Sequence, residues 1–283
     1  MANDVAEARR LDAETRLDER SIYLRRLVVR TLDGGKRGHV GSSLSPLEIM
    51  RVLYDDILRY RADDPAWENR DRCILSKGHG CIAQYVMLAD KGFFPLEVLD
   101  TFCRCDSILG GHPEAGKVPG VEASTGALGH GLPIGVGRAM GLRIKGSDAR
   151  VFVVTGDGEI NEGSVWEAAM SAAKHRLANL AVMVDYNKIQ SAGPTVEILD
   201  LEPLGDKWRA FGFAVAEVDG HDVAALRDVL KQVPLDADKP TAIICHTVKG
   251  KGIGFAENDP NWHHKSTIDA KLIDELYQAL GAA

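Results

Sequence analysis

The chain has 283 residues, 45% of them hydrophobic, with 29 glycines and a formal net charge of −7. That length suits one large α/β domain or two small ones, with apolar residues enough for a real core and glycines enough for many tight turns. The acidic balance disfavours a nucleic-acid polyanion as the main partner, and no apolar run approaches the roughly 18 residues of a membrane-spanning helix.

The opening MANDVAEARRLDAETR is charged from residue 4 and lacks an apolar h-region, so it does not read as a secretory signal. Five cysteines, an odd number in a long chain without such a signal, read as reduced thiols and point to the cytoplasm. Cys103 and Cys105 lie near His112, but no second ligand pair has zinc-like spacing; packing or a surface thiol is the simpler reading.

Residues 4 to 32 predict a long helix, with Leu11, Ile22, Leu24, Leu27, Val28 and Leu32 partly on one face and Gly34-Gly35 at its end. The glycine-rich loop KRGHVGSS then carries His39. Ser45 as cap, Pro46 at the first helical position and Glu48 closing a capping box predict a second helix. Its buried face would be Leu47, Met50, Leu53, Tyr54, Ile57 and Leu58. Cys73 to Ser76 reads as a short strand, and Gly78-His79-Gly80 as a turn opening a helix over Cys81 to Lys91. A histidine placed there can point into a phosphate site or merely cap the helix. Pro95 to Cys103 reads as another short helix. Residues 109 to 129 hold too many glycines and prolines for regular structure, and loops of that length are usually functional or disordered. From His130 a helix follows with Gly131/Gly135 and Gly137/Gly141 each four apart. Such spacing admits another backbone, either across subunits or from the chain's own sheet.

The chain is organised around Val151 to Gly193. A continuous apolar run, Val151 to Val154, reads as a strand buried on both faces. It leads into Gly156-Asp157-Gly158, a carboxylate between two residues free to take positive φ. A helix from about Ser164 to Arg176 and a second strand, Leu180 to Asp185, complete a strand–helix–strand unit ending on Tyr186-Asn187. Both strands thus deliver an oxygen ligand at their carboxyl ends, where open parallel sheets bind ligands. One charged and one neutral oxygen, flanked by glycine amides, suit a magnesium ion already carrying phosphate oxygens.

Beyond it, Pro203 to Phe211 reads as a helix, Phe213 to Val218 as a strand, Asp222 to Gln232 as a helix and Thr241 to His246 as the last strand. A loop carrying His263-His264 and a closing helix follow. Four apolar strands interleaved with helices predict a doubly wound parallel α/β sheet with helices on both faces, in a single domain over residues 1–283.

GDG followed after just under thirty residues by Asn resembles the thiamine-diphosphate motif, and the flanking sequence resembles the cofactor-binding half of transketolase. KRGHVGSSLSPLEIM, LSKGHG, GGHPE…GVEASTGALGHG and WHHKS extend the likeness over nearly the whole chain. The resemblance implies that Asp157, Asn187 and the carbonyl of Ile189 hold magnesium, for which calcium or manganese can substitute. It implies that Gly158 offers an amide to the diphosphate beside Gly156, that His79 and His263 contact the diphosphate, and that Gly126 and Leu128 line the aminopyrimidine. His39 and His112 would aid proton transfer at the sugar hydroxyls. Glu162 and Glu167 resemble the family's acidic relay toward a second active site, although acidic residues in a helix's first turn need no such role. Many members of the wider family have Asn-Asn where this chain has Tyr186-Asn187, which leaves the ligating second position intact. The family usually has His-Gly where this chain has His263-His264; either histidine can be the ligand, and His263 is preferred.

The family generates a carbanion on the thiazolium ring with a glutamate on N1′ of the aminopyrimidine. That glutamate, and the arginines that clamp the sugar phosphate, belong to a pyrimidine-binding domain following the cofactor half, whereas this chain stops one helix past His264. The resemblance therefore implies the amino-terminal part of a split transketolase, which joins a separate carboxy-terminal subunit, self-associates and forms a heterotetramer. The alternatives are a 2-oxoacid decarboxylase or dehydrogenase subunit, or a non-catalytic thiamine-diphosphate-binding subunit. His39 and His112, suited to a polyhydroxylated substrate, favour ketol transfer. A nicotinamide dehydrogenase fits poorly, for no G-x-G-x-x-G with its later acidic residue follows the first strand.

Overall fold

The computed structural model describes residues 15–281. The expected helix over residues 4–14 and most of the charged opening segment lie outside that range. The first described helix, α1 (Glu19–Gly35), begins later than its apolar pattern suggests, because the Asp18 carboxylate accepts the Ser21 amide at 2.8 Å and caps it. It also runs through the glycine pair and closes on Lys36, which is left-handed at φ 52°. Gly34 and Gly35 stay helical because they lie against Asp100 and Phe102, where a Cβ would come within 2.6 and 2.5 Å of their atoms.

The expected capping box at Ser45 does not form. A short helix, α2 (Val40–Leu44), already precedes it, and Ser45 is itself right-handed helical. Pro46 is the cap position of α3 (Leu47–Val52), with no side-chain cap bond. Ser45 Oγ instead donates to Asp185 Oδ2 at 2.6 Å, and Glu48 turns into the core to meet Arg25 and His221. Long-range partners override the local cap. The expected apolar face is buried apart from Leu58, and α3 continues as a π-helical turn over Leu53–Ile57.

Strand β1 (Arg72–Leu75) leads through a 3₁₀ turn, Gly78–Gly80, into α4 (Cys81–Asp90). Leu96–Thr101 forms a further 3₁₀ turn, and residues 109–129 form no helix or strand. The central unit follows: α5 (Gly131–Ile144), β2 (Val151–Gly156), α6 (Gly163–Lys174) and β3 (Leu180–Tyr186). Then come α7 (Thr195–Ile198), α8 (Leu204–Ala210), β4 (Ala214–Asp219), α9 (Val223–Lys231), β5 (Thr241–His246) and α10 (Ala270–Ala279). The four apolar strands and the short one at β1 make one five-stranded sheet, ordered β1-β2-β3-β5-β4. All neighbours are parallel, with Gly156 opposite Asp185 and Tyr186 opposite His246.

The chain advances from β1 to β3, jumps to the edge strand β4, and steps back to β5. Right-handed crossovers then require α9 to lie on the opposite face from helices of the forward steps. It does: Leu226 and Leu230 join a core with α1, α3 and α4, whereas Leu132, Ala169 and Trp208 of α5, α6 and α8 fill the other face. Strands β2, β3 and β5 are buried along their whole length, and each fully buried aliphatic side chain contributes about 1.5–3 kcal/mol. The glycine helix α5 resolves the question of what it packs on. Gly131 and Gly135 lie against Ser76 and Val153 of the chain's own sheet, while Gly137 and Gly141 meet nothing within 4 Å. No helix of the described residues is long and apolar enough to cross a membrane.

Candidate cofactor site at the strand ends

The carboxyl ends of β1, β2 and β3 open into a cavity of about 240 Å³. Into it converge His39, His79, Gly126, Leu128, Gly156, Asp157, Gly158, Asn187, Ile189 and His263. These come from separate parts of the chain, gathered because parallel strands all release their loops at the same sheet edge. Two glycine turns make the gathering tight: a Cβ on Gly78 would stand 2.6 Å from the Gly126 amide nitrogen. Gly126 is at φ +140°, so only glycine sits there without strain.

Asp157 is buried at 3% exposure and accepts the amides of Gly158 (2.7 Å) and Lys188 (2.5 Å). Burial, with the neighbouring Asp185 carboxylate, pushes its acid pKa up to about 6. No lysine or arginine side chain pairs with it directly, which leaves an oxygen donor suited to a hard divalent cation. Asn187 Oδ1 accepts the Ile189 amide at 3.2 Å, and the Ile189 carbonyl receives Lys249 Nζ at 2.8 Å. The Gly158 amide, expected to face a diphosphate, is turned toward Asp157 here.

Above these oxygens stands a cationic wall. The His39 ring centroid lies 5.4 Å from those of both His79 and His263, and those two lie 5.3 Å apart. Burial, reinforced by neighbouring imidazoles and the ammonium groups of Lys77 and Lys249, lowers all three; His39 falls to about 4 and His263 to about 3. They are neutral at pH 7. Lys249 Nζ donates to His263 Nδ1 at 2.9 Å, which leaves the ring proton on Nε2. His264 lies outside this cavity, its ring 4.5 Å from His39 on the far side. His112 also faces the adjoining cavity, 6.1 Å from His39.

Several groups that complete the site carry no motif by themselves. Lys77 is 1% exposed and pairs with Asp185, which is fully buried and also receives the hydroxyls of Ser45 and Thr247. Burial opposes the Asp185 charge, but Lys77 and these hydroxyls together hold its pKa below the usual value. Lys249 is buried beside the first cavity, and burial and Lys77 bring its pKa down to about 8. Glu159 joins the loops: its carboxylate accepts the amides of Gly156 and Gly129, each at 3.0 Å, and the Ser76 hydroxyl. The one available hint was position, since each lysine and Glu159 sits beside a glycine at a strand end. Glu162 and Glu167 do not join the cavity. Both are exposed, at the cap and on the outer face of α6.

Residues 18–283 match the family model described as "Transketolase, thiamine diphosphate binding domain". One of the two polypeptides of the apulose-4-phosphate transketolase of Actinobacillus succinogenes is 45% identical over 85% of this chain and 87% of its own length. The 6-deoxy-6-sulfo-D-fructose transketolase subunit SqwG of a Clostridium species is 39% identical over 93% of this chain and 94% of its own. Among solved structures, the transketolase of Campylobacter jejuni superposes with a TM-score of 0.85 at 29% identity, covering 93% of this chain. A Pichia stipitis transketolase in complex with sedoheptulose 7-phosphate gives 0.85 at 30% identity. This chain spans 42% and 40% of those two solved chains.

Proposed function

The chain belongs to the transketolase family through its thiamine-diphosphate-binding domain, and from that premise we propose that this cavity holds magnesium and the diphosphate of thiamine diphosphate in a heteromeric transketolase. The observation that carries the reading is the meeting of Asp157, Asn187 and the Ile189 carbonyl beneath His79, His263 and Lys249. The donor set fits the group: the oxygens suit magnesium, or calcium and manganese in its place, and the imidazoles and ammonium suit a diphosphate. Gln190 lines the cavity with a buried Nε2 that has no acceptor, a donor available to a phosphate oxygen. When bound, the cofactor supplies the carbon centre that carries a two-carbon ketol unit between sugar phosphates.

The residues of this chain position and protect. Asp157 and Asn187 anchor the metal, His79 and the Nε2–H of His263 donate to diphosphate oxygens, and Gly156 and Gly158 let the backbone approach them. Gly126 and Leu128 line the aminopyrimidine with main-chain groups, held in place through Glu159. His39, neutral at pH 7, accepts or holds a proton of a sugar hydroxyl, with His112 beside it. Relatives of this chain's length that are named as transketolase subunits support a separate carboxy-terminal partner bearing the pyrimidine-binding domain. The exposure of Glu162 and Glu167 on α6 suits a relay to a second copy within a heterotetramer. Free thiols at all five cysteines support a cytoplasmic location.

Calorimetric titration with thiamine diphosphate tests the site. Binding should require magnesium, and Asp157→Ala should abolish it; unchanged binding in that variant refutes the assignment. With the partner subunit present, turnover of xylulose 5-phosphate is expected, and turnover of pyruvate alone would place the enzyme among 2-oxoacid decarboxylases.

A further inference from the structure

A second cavity, of about 420 Å³, adjoins the first and shares His39 with it. Its wall carries the cations of Arg37, Arg104 and Lys117, the imidazoles of His112 and His264, the Ser107 hydroxyl, and no carboxylate. That is unusual in a chain of net charge −7 whose arginines are largely engaged: Arg20, Arg25, Arg30, Arg51, Arg59 and Arg150 all pair with acids. Lys117 is tied to Glu114 at 3.4 Å. The guanidinium groups of Arg37 and Arg104 make no ion pair or hydrogen bond among the described residues. Arg37 acts into the cavity: after burial, its charge is what lowers the His264 imidazole.

The walls are fixed. Gly38 exchanges both backbone hydrogen bonds with Lys265 at 2.9 Å, which sets Arg37 and His264 side by side. Opposite, Cys103 is left-handed at φ 58° and donates its amide to the Leu109 carbonyl at 2.8 Å, closing the loop that bears Arg104 and Ser107. Tyr85 Oη lies 3.0 and 2.8 Å from the carbonyls of Gly110 and His112 and holds the end of that loop. Two free guanidinium forks on a rigid, carboxylate-free wall match a tetrahedral oxyanion, which arginine binds through paired N–H donors.

We propose that this second cavity receives the far end of the sugar substrate, and that Arg37 and Arg104 recognise a tetrahedral oxyanion, phosphate or sulfonate, borne there. The inference rests on the proposed cofactor site, since the substrate's reacting end lies in the first cavity and the sugar passes His39. It assigns this chain, and not only its partner, a direct part in reading substrate charge.

The test is calorimetric titration of the chain, saturated with magnesium and thiamine diphosphate, with ribose 5-phosphate and with ribose. The wild type should prefer the phosphorylated sugar by about tenfold or more. Arg37→Gln and Arg104→Gln should each reduce that preference about threefold, and the double variant should nearly abolish it, with thiamine-diphosphate affinity unchanged. Both side chains are exposed, so the fold should tolerate the changes. A wild type that binds the two sugars equally, or a double variant that keeps the full preference, overturns the proposal. Failure of thiamine diphosphate to bind the wild type refutes the cofactor reading instead; the phosphate preference and its loss in the variants are then read without cofactor. A parallel comparison of fructose 6-phosphate with 6-deoxy-6-sulfo-D-fructose names the group: tighter phosphate binding, lost in the double variant, assigns a dianion, and tighter sulfonate binding a monoanion.

Discussion

The Lys77–Asp185 pair supports the floor of the cofactor cavity, and its removal is the most informative perturbation of this fold. The pair is 1% and 0% exposed at its two side chains. Removing one partner of such a pair strands a charge in a medium of low polarity, at a cost of about 3–5 kcal/mol. The structure places Lys77→Met at the lower end, about 3 kcal/mol, because Asp185 keeps the hydroxyls of Ser45 (2.6 Å) and Thr247 and the Asn187 amide (3.4 Å). Asp185→Asn should cost about 4 kcal/mol, since the Lys77 ammonium retains only the Ser45 hydroxyl at 3.4 Å. In the double variant no charge remains buried: a methionine fills the lysine's volume, and the asparagine still accepts from Thr247. Its cost should fall to about 2 kcal/mol, a coupling of about 5 kcal/mol. Urea unfolding of the four proteins at pH 7 reads these values. Costs that add to within about 0.5 kcal/mol would refute the claim that the two groups act as one buried unit.

Two further outcomes follow from the electrostatics of the site. Asp157 has its acid pKa raised to about 6 by burial and Asp185, so the folded state holds its proton more firmly than the unfolded state does. Without metal, stability should therefore decline as pH rises from about 4 to about 6 and level off above. Asp157→Asn should remove that decline in urea unfolding across the range, and an unaltered profile would show that another group causes it. Among the paired histidines, His263→Ala should weaken thiamine-diphosphate binding about tenfold, because His263 lines the first cavity and takes a hydrogen bond from Lys249. His264→Ala should leave that affinity within about twofold, because its ring faces the second cavity. A reversed order in calorimetry would exchange their roles.

Much of this protein was legible in its residues because the physics behind it is local. An apolar run such as Val151–Val154 reads as a strand buried on both faces, and Thr241–His246 matches its strand residue for residue. Strand carboxyl ends collect on one edge of a parallel sheet, so Asp157 and Asn187 had to meet once β2 and β3 were neighbours. The motif residues and the histidine order named the family for the same reason.

Other features depended on partners far along the chain. Ser45-Pro46-Leu47-Glu48 satisfies every local rule for a capping box, yet Ser45 bonds to Asp185 and Glu48 to Arg25 and His221, contacts between 23 and 173 residues away that no local pattern encodes. Lys77, Lys249 and Glu159 look like ordinary charged residues until the sheet edge brings them beneath the cavity. His263 and His264 are equivalent by sequence and differ only in which cavity each ring faces. Sequence determined the strands, their ligands and the chemistry they suit, since these follow from periodicity and residue type. Tertiary structure decided which charges are buried together and which histidine faces the cofactor, since those depend on the packing of segments that are distant in the chain.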